Sequence, residues 1–304
     1  MKLKLFSSKV LLFGEYSIIQ NSMALASPYD LFEGILRFSK EEHKRTDPEL
    51  KALVYYLKDL KKNKLLDFDF DITSFDFDCS QGLFFDSTIP QGFGVGSSGA
   101  LTAALLFRYG NPDEFNYIST SNLKNILSLI ESHFHGSSSG LDPLISFINK
   151  TILIKSSNEL KVIDFPKFKD NGGAFFLLNT GRSRKTEPLV NLFLEKCKDR
   201  FFINECKNKL LPITDHCINS LLDKDLEQLF TQFGLLSSFQ YEHFSPMIPN
   251  IFKSVWMDAL EDKLPFKLKL CGAGGGGFLI GITKNLEQIN NHLSQFEIRP
   301  LFHL

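Results

Sequence analysis

The chain has 304 residues, 43% of them hydrophobic and 23% charged, with a formal net charge of -1. That composition is the range of a water-soluble globular protein able to bury a core without disulfide or metal staples, and it gives little support to nucleic-acid or membrane-surface binding. No run of about 18 apolar residues occurs, so no transmembrane helix is expected.

The N-terminus "MKLKLFSSKVLLFGEY" reaches Glu15 too early for a secretory signal. Five cysteines, with no C-x-x-C, suit reduced thiols and a cytoplasmic location. Phenylalanine, at 31 copies, is spread along the chain and reads as core filling. "KDLKKNK", Lys58 to Lys64, reads as a solvated helix end.

In chain order, "KLKLF" and "KVLLF" read as short strands, and "FEGILRFS", Phe32 to Ser39, as another. Residues 48–62 carry apolar side chains at helical spacing behind Pro48 and predict a helix. "DFDFDITSFDFD", Asp67 to Asp78, alternates and predicts a half-exposed antiparallel strand. As a calcium loop it lacks the sixth-position glycine and the late glutamate. "TILIK" and "LKVIDF" predict strands, and polar turn residues from Pro166 to Gly173 suggest a boundary between domains 1–167 and 168–304. The second half opens on a buried strand, "GAFFLLN", Gly173 to Asn179. It continues through amphipathic segments between about 186 and 262 and ends in the strands "KLKL" and "GGGFLIGIT".

The stretch "PQGFGVGSSGALTAALLFR" carries the chemistry. Gly94-x-Gly96-x-x-Gly99 spells a dinucleotide fingerprint, but no strand with a terminal acid follows its helix, so the context fails. No G-x-x-x-x-G-K-[ST] occurs either. The physics still favours an anion: Gly92, Gly94 and Gly96 permit backbone N–H groups to turn inward, and Ser97 and Ser98 stand where a helix begins, with unpaired donors and the positive dipole end. A flexible loop with a serine N-cap remains the plain alternative. Two further pieces stand out: "CGAGGGGFLIGIT", a glycine run leading into core, and "ESHFHGSSSGLDPLIS", where an acid precedes a Ser-Gly turn and Asp142. Taken alone, Glu131 could be a solvated helix residue and Asp142 a helix N-cap before Pro143.

Together and in this order, the three pieces resemble the GHMP family of small-molecule kinases, which act on galactose, homoserine, mevalonate and phosphomevalonate. "P-x-x-x-G-V-G-S-S-G-A" from Pro90 is similar to that family's phosphate loop, with Val95 for Leu and Gly99 for Ala. "KVLLFGEYSII" from Lys9 resembles its first motif, with Ser7-Ser8 in place of Pro-Gly, and "KLCGAGGGGF" its last. Within the family the mevalonate kinases give the nearest pattern. Their E-x-x-x-H-G-x-x-S-G-x-D is met by Glu131, His135, Gly136, Ser139, Gly140 and Asp142, and their N-T-x-x-x-R-x-T-x-x-L-V by Asn179, Thr180, Arg184, Thr186, Leu189 and Val190. Gly14-Glu15-Tyr16 stands where those enzymes have G-E-H, and tyrosine there is more like bacterial phosphomevalonate kinases.

The resemblance implies an α+β protein of two domains, the first with the ribosomal protein S5 domain 2 fold and the second ferredoxin-like, with the active site between them. It implies ATP and Mg²⁺ as cofactors and mevalonate as phosphoryl acceptor, with phosphomevalonate kinase and a non-catalytic ligand sensor as alternatives and homodimerisation an open option. The nucleotide would be held by Pro90, Gly92, Gly94, Val95, Gly96, Ser97, Ser98 and Gly99, with Gly274 and Gly275 behind it. Ser98 and Glu131 would ligate Mg²⁺, Asp142 would take the acceptor's proton, and Lys9 would lie beside it. Glu15, Tyr16, Arg184 and Thr186 would face the acceptor, whereas His133 and His135 would be structural. For a phosphorylated acceptor, Lys185 and Arg182 could add positive charge. The decarboxylase sharing this fold is disfavoured by "SSSGLD".

Overall fold

A computed structural model describes residues 4–40, 46–115, 117–156, 159–169, 171–183 and 187–304. Its contacts divide the chain into two compact units. The first holds Met1–Lys9, Pro28–Pro90 and Gly96–Lys150, and the second Val10–Ser27, Gln91–Val95 and Thr151–Leu304. Strands β1 (Phe6–Phe13) and β2 (Ala24–Phe38) run through this division, so each unit holds a length of both. "KVLLF" lies wholly in β1, whereas of "KLKLF" only Phe6 does; Lys4 and Leu5 are outside the strand and residues 2–3 lie outside the described residues.

In the first unit the far end of β2 pairs antiparallel with β3 (Leu83–Ser87), in register from Gly34↔Ser87 to Phe38↔Leu83. Helix α1 (Pro48–Lys62) spans the residues its spacing predicts. Asp47 caps it by accepting from the Glu49 and Leu50 N–H groups at 2.9 and 3.2 Å, Pro48 pre-sets the first turn, and Lys61 and Lys62 face the negative dipole end. Its buried stripe is Leu50, Leu53, Val54, Leu57 and Leu60.

The expected strand over 67–78 is not formed. Only Phe70 makes a bridge, to Gly110, and α2 (Ile72–Ser80) follows. The alternation lapses at Thr73-Ser74, and Asp71 caps the turn by accepting from the Ser74 N–H at 2.9 Å. Ile72, Phe75 and Cys79 then fall on one buried helical face. The aspartates find cations that a strand would have left to chance: Asp76 pairs with Lys51 and Lys58 of α1, and Asp78 with Arg108 and the Tyr109 hydroxyl.

Helix α3 (Ser97–Tyr109) is apolar nearly all round, with Gly99 through Leu106 buried, which makes it the central rod of this unit. The short α4 (Pro112–Phe115), α5 (Thr120–His135) and α6 (Leu141–Ile148) follow, and α3, α5 and α6 pack on one another.

In the second unit the near end of β2 pairs with β4 (Thr151–Ser156), which pairs with β5 (Glu159–Ile163), both antiparallel. A separate four-stranded antiparallel sheet runs β7-β8-β6-β9, from β6 (Ala174–Asn179), β7 (Phe266–Leu270), β8 (Phe278–Thr283) and β9 (Ile298–His303). Between β6 and β7 lie α7 (Glu187–Lys196), α8 (Arg200–Glu205), a π-helical turn at Cys206–Leu210, α9 (Leu211–Asp223), α10 (Leu226–His243) and α11 (Lys253–Leu260). Helix α12 (Leu286–His292) links β8 to β9. The order β-α-β-β-α-β with its first strand, β6, in the sheet interior is the ferredoxin-like arrangement. Helices and strands thus mix without strict alternation, and the fold is α+β. Among the described residues no helix is long and apolar enough to cross a membrane.

One feature of the second unit departs from ordinary core composition. Lys269 of β7 is fully buried and donates to Glu15 Oε1, which is itself 1% exposed, and to the Leu270 carbonyl at 2.7 Å. Burial raises the Glu15 carboxyl above its usual range, against the pull of Lys269. Lys269→Met should lower the unfolding free energy by about 3–5 kcal/mol, because it strands a buried carboxylate. The double variant Glu15→Leu/Lys269→Met should recover most of the loss. Urea denaturation of the unaltered protein, Lys269→Met, Glu15→Leu and the double variant checks this; full additivity of the two single losses would contradict it.

Candidate active site

The first unit gathers Lys9, Gly96, Ser97, Ser98, Gly99, Glu131 and Asp142. Lys9 ends this unit's length of β1, and Asp142 lies in the first turn of α6. What sets them together is one helical turn: Ser146, four residues after Asp142, donates its hydroxyl to the Ser7 carbonyl at 2.8 Å. β1 is fixed in turn by Ser8, which donates to the Tyr29 carbonyl at 2.8 Å, and by Ser7, which donates to Asp30 at 2.7 Å. Lys9 Nζ then lies 2.9 Å from Asp142 Oδ1, with the lysine side chain 10% and the aspartate 33% exposed. Asp142 is not the N-cap of α6. Gly140 holds that position at φ 71°, and Asp142 is engaged with Lys9.

Gly96 caps α3 at φ 81° and ψ 41°, a conformation that side chains resist. A Cβ there would also stand 2.9 Å from Lys9 Cγ, so the glycine admits the lysine past the helix start. Gly99 does the same for α6, since its Cβ would meet Asp142 at 2.9 Å. Ser97 and Ser98 form the first turn of α3, half-exposed, and Pro90 is also half-exposed at the end of its segment.

Ser98 Oγ donates to Glu131 Oε1 at 3.0 Å and lies 2.9 Å from His135 Nε2. Ser138 donates to the other oxygen, Oε2, while its own Oγ accepts the Gly140 N–H at 2.9 Å. Glu131 is therefore buried, not the solvated helix residue that its local sequence allows. Burial, followed by the negative charge of Asp142, raises its carboxyl to about 7; the Ser138 and Ser98 hydroxyls and the Lys9 ammonium oppose the rise. His133 packs its ring on Tyr56, 5.2 Å between centroids, away from these contacts.

A hydroxyl and a carboxylate side by side are oxygen donors of the kind a hard cation takes when most of its ligands are water and phosphate. Among the described residues no group of three or more His, Cys, Asp or Glu could hold a metal, so a protein-only cage is not what this donor set offers. The α3 start, with its free first-turn N–H groups and a cap in the left-handed region, fits an anionic phosphate.

In the second unit, Gly92 and Gly94 have φ 76° and 79°, and Val95 is buried. Gly272, Gly274, Gly275 and Gly277 all have positive φ. The turn they form is tied to its surroundings. Gly277 donates its N–H to the Arg182 carbonyl at 2.6 Å and accepts at its carbonyl from the Thr180 N–H and hydroxyl at 2.9 and 2.7 Å. A Cβ on Gly277 would come within 2.5 Å of the Phe93 carbonyl oxygen, so the close approach this run permits is to the backbone beside Gly94. Glu15 and Tyr16 are both buried. Glu15 is committed to Lys269, and Tyr16 donates its hydroxyl to the Ala273 carbonyl at 2.6 Å with its ring against Phe193 and Phe244. Arg184, Lys185 and Thr186 lie outside the described residues.

Sequence reasoning passed over Ser138, Ser146 and Lys269. The run of hydroxyls at 137–139 beside an acid was a signal for the first. Lys269 gave none, because "KLKL" reads as two lysines facing water.

No family model matches the chain. It is 28% identical over 182 residues to a mevalonate kinase of Dictyostelium discoideum, a match taking in 56% of this chain and 45% of that protein, so the chain spans less than half of that relative. It is 24% identical over 301 residues to a mevalonate kinase of Pyrococcus abyssi, covering 91% of this chain and 87% of the other. Among solved structures it is similar to L. major mevalonate kinase in complex with R-mevalonate, with a TM-score of 0.66, 14% identity, and 100% of this chain and 96% of the other covered. It is also similar to Streptococcus pneumoniae phosphomevalonate kinase in complex with phosphomevalonate and AMPPNP, with a TM-score of 0.67, 14% identity, and 99% and 100% covered. The chain has the fold of the GHMP kinases, and the curated proteins that it matches in sequence are mevalonate kinases.

Proposed function

We propose that this chain transfers the γ-phosphoryl group of ATP to the 5-hydroxyl of mevalonate, giving ADP and 5-phosphomevalonate. The observation that carries this reading is the Lys9–Asp142 pair standing in one unit with the Ser98–Glu131 pair at the head of α3. Phosphoryl transfer asks little covalent chemistry of a protein. It needs positioned phosphates, spread charge and a base within reach of the attacking hydroxyl.

Asp142 supplies the base: its carboxylate is one-third exposed and held by Lys9 through one oxygen, leaving a face to accept the acceptor's proton across about 2.6–3.2 Å. Lys9 orients that carboxylate and adds positive charge where the reaction builds negative charge. Backbone N–H groups from Gly96 to Ser98 are the donors for phosphate oxygens, and Ser98 with Glu131 would hold the cation. When bound, MgATP supplies the phosphoryl group and the charge that draws electrons from it. Phosphomevalonate as acceptor is the second reading, motivated by the tyrosine in the "GEY" sequence pattern and by the likeness to a phosphomevalonate kinase structure.

An ADP-release assay against mevalonate, 5-phosphomevalonate, galactose and homoserine tests the assignment. Turnover on mevalonate alone is expected, and turnover on 5-phosphomevalonate alone would replace it with the second reading. Asp142→Asn should lower kcat by about 10²–10⁴ while binding of a non-hydrolysable ATP analogue stays within a few-fold; near-normal kcat would remove Asp142 as the base.

Glu131 gives a pH test. Its carboxyl, raised to about 7, takes up a proton as pH falls through that value, and a protonated acid is a poor cation ligand. Mg²⁺ affinity in the presence of the analogue should therefore fall about tenfold from pH 8 to pH 6 and level off above pH 8. In Glu131→Gln the dependence should be flat. A flat profile in the unaltered protein would take Glu131 out of the cation site.

A further inference from the structure

Ser98 takes part in two hydrogen bonds and owns one hydroxyl proton. Its Oγ lies 3.0 Å from Glu131 Oε1 and 2.9 Å from His135 Nε2, all three residues belonging to the first unit. An ionised carboxylate, the form that takes a cation, can only accept, so the Ser98 proton is spent on Glu131. His135 is therefore the donor in the other contact, with its proton on Nε2. Both partners reach Ser98 because they stand four residues apart on α5 and so share one face of that helix. Glu131 is buried there, and His135 sits exposed at the last turn.

That arrangement is closed to a metal ion. The Ser98 proton lies between the two oxygens that would hold the cation, and it has to turn away before Ser98 Oγ and Glu131 Oε1 can offer lone pairs. A hydroxyl turned from its acceptor forfeits a hydrogen bond unless another acceptor stands ready. His135 Nε2 is already at hydrogen-bond distance and becomes that acceptor when the ring carries its proton on Nδ1 instead. The exposed ring makes the exchange through water: Nε2 releases a proton to solvent as Nδ1 takes one up, and the net charge does not change. Ser138 donates to Glu131 Oε2 throughout, so the carboxylate keeps its orientation while Oε1 is freed.

We propose that His135 is a positioning residue for the cation: it takes over the hydrogen bond from the Ser98 hydroxyl, which releases Ser98 Oγ and Glu131 Oε1 together as oxygen donors. This rests on the kinase reading above and deepens it, since it gives a task at the cation site to a histidine whose sequence pattern implies only a structural one.

The test compares His135→Leu with His135→Gln in the full chain. Leucine accepts nothing, whereas the glutamine amide brings an acceptor oxygen to about the reach of Nε2. Titration calorimetry with AMPPNP, once with Mg²⁺ and once with EDTA, reads how far the cation strengthens binding of the analogue, without turnover. His135→Leu should cut that strengthening about tenfold, the effect of losing a partner that orients a metal ligand, with the Kd in EDTA within twofold of the unaltered protein. His135→Gln should restore it to within about threefold of the unaltered protein. Steady-state kinetics should show the same split, His135→Leu needing more Mg²⁺ for half-maximal rate while the acceptor KM stays within twofold. Equal weakening with and without Mg²⁺ would overturn the proposal, since the histidine would then only prop the loop. So would undiminished strengthening in His135→Leu, a His135→Gln as impaired as His135→Leu, or no strengthening by Mg²⁺ in the unaltered protein. If the unaltered chain binds the analogue more tightly with Mg²⁺ but phosphorylates no acceptor, the kinase reading fails, while the contrast between the two variants still reads His135.

Discussion

Two carboxylates buried to different depths within one unit, Glu131 and Asp142, repel each other, and the surrounding structure exists in large part to keep both. Glu131 is held by hydroxyls from two elements, Ser98 of α3 and Ser138 of the turn before α6. Asp142 is held by an ammonium from β1. The arrangement gives the acids unequal environments. One is enclosed and pushed toward neutrality, and the other is partly wet and paired with a cation. Separating two like groups by environment is how one site can assign them different chemical tasks. The hydroxyl-held acid suits a cation, and the lysine-held acid suits a proton.

That separation depends on small residues where elements meet. Gly96 lets β1's lysine pass the head of α3, Gly99 lets α6 lie against α3, and Ser146 locks α6 to β1 in register with the ion pair. None of the three has to touch a ligand. They set the distances that would let other residues do so, which is why a glycine-serine loop and an ordinary helix serine matter together.

Much of this was legible in the chain. The helix over 48–62, the strands around 151–163 and 174–179 and the helix after Ser97 follow from periodicity and caps, because each has a strong local signal. The segment 67–78 was misread because alternation over Asp67–Ile72 resembles a strand, while its fate was decided by Asp71 as a cap and by cations on α1 and α3, which no local window contains. Glu131 and Asp142 each had a bland local reading, and only the order of motifs argued against it. Lys269 was invisible for a different reason: a lysine's burial is determined by a partner 254 positions away, not by its neighbours. Glu15 and Tyr16 are read from "GEY" as facing the acceptor, while their buried contacts with Lys269 and the Ala273 carbonyl lie more than 250 positions away, beyond any local window.

None of the five cysteines is in a disulfide, and packing has an effect on the reactivity of four of them. Burial lifts Cys79 to about 11 and Cys206 to about 12, and it raises Cys217 and Cys197 as well. At neutral pH only about one Cys79 in ten thousand is thiolate, the form that attacks electrophiles. These four sulfurs are thus sluggish toward alkylating probes and peroxide, and a single engineered thiol on an exposed helix face would compete with little labelling at them.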